Sequence, residues 1–138
     1  MSPADDDSLS ELFWSVARNL RHLNRETLEP LNVSPSHGRA LNVLWRHGSM
    51  RPGALAEHLR IAARSATEVV DDLQERGLVA RAPDPADRRA TLVTLTESGA
   101  AAGAAIKAAR QAAAERFFAG LSGSDRAELA RILRELRD

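Results

Sequence analysis

The chain has 138 residues, a length that suits one domain around one core, and its hydrophobic share of 43% is that of an ordinary globular protein. Its 19 basic and 19 acidic residues cancel to a net charge of zero, and it has no cysteine, which excludes disulfides, thiol redox sensing and cysteine-ligated metal sites. No uninterrupted apolar run reaches the length of about eighteen residues that a membrane helix needs, and no basic-then-apolar leader is present, so the expected location is the cytoplasm.

Met1 to Ser8 is polar and holds Asp5-Asp6-Asp7, expected to fray first and then to supply acids to a helix N-terminus. From about Asp7 to Glu29, the residues Leu9, Leu12, Phe13, Val16, Leu20, Leu23 and Leu28 recur at helical spacing, with Arg18, Arg21 and Arg25 on the other face. A helix with such a stripe needs something to pack on. Pro30 to Ser34 breaks it, and Ser34-Pro35 starts the next with a cap and a first-turn proline. Ala40, Leu41, Leu44 and Trp45 are the expected buried side of this second helix, which ends near His47 and Gly48.

Pro52 then occupies the first position of a short helix whose apolar residues are Leu55, Ala56 and Leu59. A longer helix follows from Ala63 to Arg76, with Ala66, Val69, Val70 and Leu73 as its buried stripe and Gly77 as its stop. The order is that of a helix-turn-helix. The stripe points inward and leaves Arg64, Ser65, Thr67, Glu68 and Asp71 toward solvent. Short hydroxyls and an arginine near a helix N-terminus suit the major groove, where they can reach base edges.

After Gly77 the period changes. Leu78, Val79 and Arg81, and then Thr91 to Leu95, alternate as strands do, and Ala82 to Asp87 between them is expected to be a loop. Arg88 and Arg89 sit where this tip ends, and paired arginines on a protruding hairpin can enter a minor groove or clamp phosphates. A DxRR run elsewhere would read equally well as a solvated turn held by an Asp–Arg contact; close behind a helix-turn-helix it points to DNA.

Thr96 caps a long helix with eleven alanines between Gly99 and Gly120, and Ile106, Phe117 and Phe118 give it apolar surface to bury. Ser122 and Asp125 resemble a capping box for a last helix carrying Leu129, Ile132, Leu133 and Leu136. Three helices with apolar faces outside the reader exceed what its own core needs. Dimerisation accounts for them, and it would match a pseudo-palindromic operator with half-sites about 34–36 Å apart.

The stretch from Met50 to Gly99, with its run LAEHLxxxxxSxTxVVDDLQERGLVxRxPDPxDRRAxLVxLTExG, resembles the winged helix-turn-helix of the MarR family of bacterial transcription regulators. Asp87, Arg89, Leu95 and Thr96 match the D-x-R-x-x-x-x-x-L-T signature of that family's wing. The resemblance implies a mainly α fold with a small β wing: a winged helix-turn-helix over 34–98, flanked by dimerisation helices over 7–29 and 97–137. It also implies a homodimeric regulator of double-stranded DNA, usually a repressor relieved by a small ligand. Two positions depart from the family pattern. Ala62 stands where a Ser cap is usual, which costs about 1 kcal/mol of helix stability. Glu68 stands where a basic residue is usual, and Arg60 and Arg64 are candidates to replace its charge.

The expected DNA-facing set is therefore Arg64, Ser65 and Thr67 toward bases, Arg88 and Arg89 toward the minor groove or its phosphates with Asp87 orienting Arg89, and Arg60 and Glu68 beside them. By resemblance, a ligand crevice between reader and flanking helices would draw on Trp14, Arg18, His22, His37 and Trp45, and would take a small aromatic or anionic molecule. His22, His37, His47 and His58 lack metal-ligand spacing, and no cofactor loop or catalytic constellation is present, so neither metal, cofactor nor enzyme activity is expected. Net charge zero and Glu68 motivate the alternative, a winged-helix protein-interaction module that has given up DNA. Between Met50 and Ser98 seven arginines face eight acids, so modest non-specific affinity is expected in either case.

Overall fold

A computed structural model of the chain describes residues 8–138, and the expected contribution of Asp5-Asp6-Asp7 to the first helix lies outside the described residues. Helix α1 spans Leu9–Leu28 and starts at Ser8, whose Oγ accepts the Glu11 N–H. Its last apolar residue, Leu28, is in the core, but Leu9, Leu12, Phe13 and Val16 stand 48–85% exposed. The expected break is a 3-10 turn, Glu29–Leu31, carrying Pro30 and ending on Asn32 in the left-handed region.

Helix α2, Pro35–His47, begins with Ser34 Oγ accepting the His37 N–H and ends on Gly48 at φ 83°. Ala40, Leu41 and Leu44 are buried as expected, whereas Trp45 remains 39% exposed. Its ring lies instead across Gly103, where an added Cβ would come within 3.1 Å, and Lys107 Nζ sits 4.6 Å from the ring centroid. Trp45 is a wall between helices and not a core residue.

Helices α3, Pro52–Leu59, and α4, Ala63–Glu75, form the helix-turn-helix. The turn is made by Arg60 at φ 54°, and α4 starts at Ala62 with no side-chain cap. Ala66, Val69, Val70 and Leu73 of α4 are all buried, and the last three join Leu55, Leu41, Val79 and Val93 in one continuous core. Gly77, at φ 74°, turns the chain into the wing.

The wing is longer than its sequence implied. Strand β1 covers Val79–Asp84 and pairs antiparallel with β2, Asp87–Leu95, so Ala82, Pro83 and Asp84 are strand residues and only Pro85 and Ala86 turn. Proline is tolerated because β1 is an edge strand with no neighbour on its far side. Met50, just before α3, bridges to Val93 in both directions, at 3.1 and 2.8 Å, and ties the wing to the helices.

Helix α5, Glu97–Phe117, is capped by Thr96, whose Oγ1 accepts the Gly99 N–H while its own proton goes to the Gly77 carbonyl. Helix α6, Gly123–Arg137, begins with Ser122 Oγ accepting the Asp125 N–H, and contains no buried residue. Its Ile132, Leu133 and Leu136 stay 39–73% exposed. Among the described residues no helix is long and apolar enough to cross a membrane.

Candidate nucleic-acid interface

Burial of four α4 residues fixes the helix's rotation, and with it what faces outward. Arg64, Ser65, Thr67 and Glu68 are all exposed, in the first two turns of the helix. The Thr67 hydroxyl donates to the Ala63 carbonyl at 3.0 Å, so the side chain shows a groove only its methyl group and acceptor lone pairs. Asp71, one turn further, is held at 2.7 Å by Arg81 of β1, and Arg81 also donates to Gln74. Asp72 lies 3.3 Å from the His37 ring. Arg60 is exposed in the turn that leads into α4.

The hairpin tip is organised by two aspartates. Asp84 Oδ1 accepts the Ala86 N–H at 2.9 Å, closing the turn, and Oδ2 takes the Arg51 guanidinium at 2.9 Å. The Ala86 N–H first, and Arg51 after it, hold the Asp84 carboxyl below the usual carboxylate range. Asp87 Oδ1 accepts both the Arg89 backbone N–H, at 3.1 Å, and its Nε, at 3.2 Å. Arg89 is thus aimed at its root while its side chain stays 93% exposed. Arg88 beside it is exposed.

Arg81 and Arg51 were not singled out by sequence reasoning. Both belong to pairs separated by ten residues or more, and no local pattern announces a contact between strand and helix. Exposed ion pairs contribute little to stability, but these two link the wing to its surroundings, Arg81 joining β1 to α4 and Arg51 joining the start of α3 to the hairpin tip.

A second polar feature lies between α1, α2 and α5. Arg21, Asn24, Arg25, Leu28, Pro35, Arg39 and Arg110 line a cleft of about 460 Å³. Burial lowers the Arg110 pKa, the Arg39 charge adds to that, and the Arg110 Nε is buried without a hydrogen-bond partner. Gly38 makes room for this side chain, since a Cβ there would lie 3.1 Å from Arg110 Nη2.

The expected ligand set is dispersed by comparison. Trp14 stacks edge-on against Phe13 at 5.9 Å, half exposed, and exposed His22 pairs with Glu26 at 3.1 Å. Arg18 is exposed on α1, and Trp45 lies under Lys107. His37 alone borders a neighbouring hollow, with Arg25, Asn32 and Arg76. His47 and His58, from different helices, stack at 4.6 Å. On α1 the cleft is lined by Arg21 and Arg25, each three residues after the Arg18 and His22 that the resemblance suggested, and no sequence signal pointed to Arg110.

An outward reading helix beside a clamped antiparallel hairpin defines a winged helix-turn-helix protein. The profile of the MarR family matches residues 33–91. An uncharacterized HTH-type transcriptional regulator of Mycobacterium bovis is 40% identical over 139 residues, covering 100% of this chain and 93% of that protein. Among solved structures, a mutant of Escherichia coli MarR complexed with operator DNA superposes with a TM-score of 0.80 at 26% identity, covering 93% of this chain and 92% of that one. The Mycobacterium tuberculosis MarR family protein Rv2887 in complex with salicylic acid gives a TM-score of 0.76 at 28% identity, covering 96% and 98%. The chain belongs to the MarR family of transcription regulators.

Proposed function

We propose that two copies of this chain bind a pseudo-palindromic operator and repress transcription by occupying it, and that a small anion releases them. The observation that carries the reading is the outward face of α4: Arg64, Ser65, Thr67 and Glu68 are exposed and contribute nothing to the core, beside an Arg89 whose root is fixed by Asp87. In this reading Arg64, Ser65 and Thr67 meet bases, Arg88 and Arg89 meet the minor groove or its phosphates, and Arg60 meets a phosphate. The operator complex of the MarR relative supports it.

In this reading residues 34–98 serve as the reader, and α1, α5 and α6 serve as the dimerisation helices. The exposed stripes of α1 and α6 supply the apolar surface a second copy would cover. For the ligand, the arginine cleft replaces the set expected from sequence. Its lining carries several cations and no acid, so it suits a carboxylate or similar anion, and the salicylic acid complex of Rv2887 supports that class.

The test is fluorescence anisotropy of a labelled duplex from upstream of this protein's own gene, against random duplex, over a salt series. Preference for the specific duplex with a steep log–log salt slope is expected. Absence of salt-dependent binding by a folded dimer would overturn the reading in favour of a protein-interaction module. Salicylate should then weaken the specific complex, and Arg110→Met should remove that response while leaving DNA affinity intact.

A further inference from the structure

Glu68 is an acid on a surface otherwise suited to a polyanion, and the structure gives it nothing else to do. Asp71 and Asp72, one turn along α4, are occupied by Arg81 and His37. No ion pair or side-chain hydrogen bond among the described residues involves Glu68 or Arg64. These two are four residues apart on α4, hence on one face and about 6 Å apart along the helix axis. Thr67, between them in sequence, has its proton committed to Ala63. The charged pair is therefore the strongest readout available to this helix.

The major groove restricts what each can take. A carboxylate only accepts, and the groove floor offers it the N4 amino group of cytosine and the N6 amino group of adenine. Adenine presents the acceptor N7 beside its amino group, which repels a carboxylate; cytosine presents no acceptor of its own there. Arginine, with its forked donors, fits guanine O6 and N7. A separation of about 6 Å along the helix spans at most about two base-pair steps at 3.4 Å per step, because a helix in the groove is inclined to the duplex axis.

We propose that Glu68 is a specificity-determining residue, its carboxylate accepting a hydrogen bond from a cytosine N4 amino group, with Arg64 on a guanine within about two steps of it in each half-site. The assignment rests on the DNA-binding reading above and deepens it. A phosphate-facing role for Glu68 would only repel the duplex; a base-facing role converts the repulsion into discrimination, because every half-site lacking the cytosine then leaves the acid without a donor.

The test is selection from a randomised duplex library by the wild-type protein, Glu68→Ala and Glu68→Gln at one salt concentration, followed by anisotropy on the enriched duplexes. Wild type should enrich half-sites with one invariant C·G pair within about two steps of an invariant G·C pair. Glu68→Ala should lose the preference at the C·G position alone, with about 5- to 100-fold weaker discrimination there and an unchanged salt slope. Glu68→Gln should shift that position toward A·T, since glutamine pairs with adenine N6 and N7. The assignment is overturned if Glu68→Ala enriches the same half-site as wild type. It is equally overturned if that variant binds all duplexes more tightly by one common factor, the signature of plain repulsion. A wild-type protein that enriches no sequence and shows no salt-dependent binding would overturn the DNA-binding reading itself. Glu68 is exposed and outside the core, and matching thermal melts for the three proteins check that each is folded.

Discussion

Arg60 makes the turn of the helix-turn-helix at φ 54°, a conformation glycine adopts freely and a side chain enters at a cost of about 1–2 kcal/mol. Something other than stability keeps an arginine there if it reaches a phosphate. Arg60→Gly is therefore expected to raise stability by about 1 kcal/mol in urea melts while weakening duplex binding and lowering the log–log salt slope by about one. Stability and affinity moving together would count against the phosphate contact. Gly99 shows the opposite constraint. A Cβ at that position would sit 1.8 Å from the Leu78 carbonyl oxygen, where the start of α5 crosses the start of the wing. Gly99→Ala should cost about 1–3 kcal/mol, as overpacking against backbone does, and the urea midpoint measures it. The sequence shows caps at Ser34, Thr96 and Ser122 because a cap depends on neighbours three residues away. It does not show why Gly99 or Arg60 is needed, since both answers lie in what the chain meets across the fold.

The wing is the element that depends most on side chains drawn from elsewhere. Arg51 precedes α3 and holds Asp84; Arg81 leaves β1 and holds Asp71. Hydrophobic alternation marked the strands correctly where Val79 and Val93 are buried, and failed at Ala82 to Asp84, where nothing apolar is buried and the pairing rests on backbone hydrogen bonds and Asp84. Since Asp84 has its carboxyl pKa lowered by folding, its contribution is complete above the unfolded value of about 3.9 and is lost as pH falls through the folded one. Amide hydrogen exchange at Ala86 should be constant from neutral pH down to about 5 after correction for intrinsic rates, and its protection should fall on further acidification. Asp84→Asn should already show the loosened tip at neutral pH, together with reduced operator affinity. Equal protection in both proteins at neutral pH would show that the Arg51 contact does not order the tip.

At the scale of the whole chain, apolar surface is divided between two destinations. Leu41, Leu55, Leu73, Val79, Val93 and Ile106 close a core within one copy, while Phe13, Leu12, Val16 and Leu136 stay outside it. The apolar spacing of helices and strands revealed both sets but could not separate them, because a residue facing its own core and one free to face a second copy repeat at the same spacing. This division makes the proposed dimer testable without unfolding the reader. Phe13→Glu places a charge in the stripe of α1, far from the helix-turn-helix core, and Leu136→Glu does the same on α6. Sedimentation should find wild type at twice its 15.0 kDa chain mass and each variant at one chain mass or in concentration-dependent exchange. Wild-type melting temperature should rise with protein concentration, as mass action requires of a folded dimer, and that dependence should fade in the variants. Operator affinity should fall by about 10²- to 10⁴-fold, the effective-concentration advantage of a linked second reader, while a duplex carrying a single half-site should bind all three proteins alike. A Phe13→Glu variant that remains a tight dimer and binds the full operator normally would place the two-fold interface elsewhere and leave the exposed stripe of α1 for another partner.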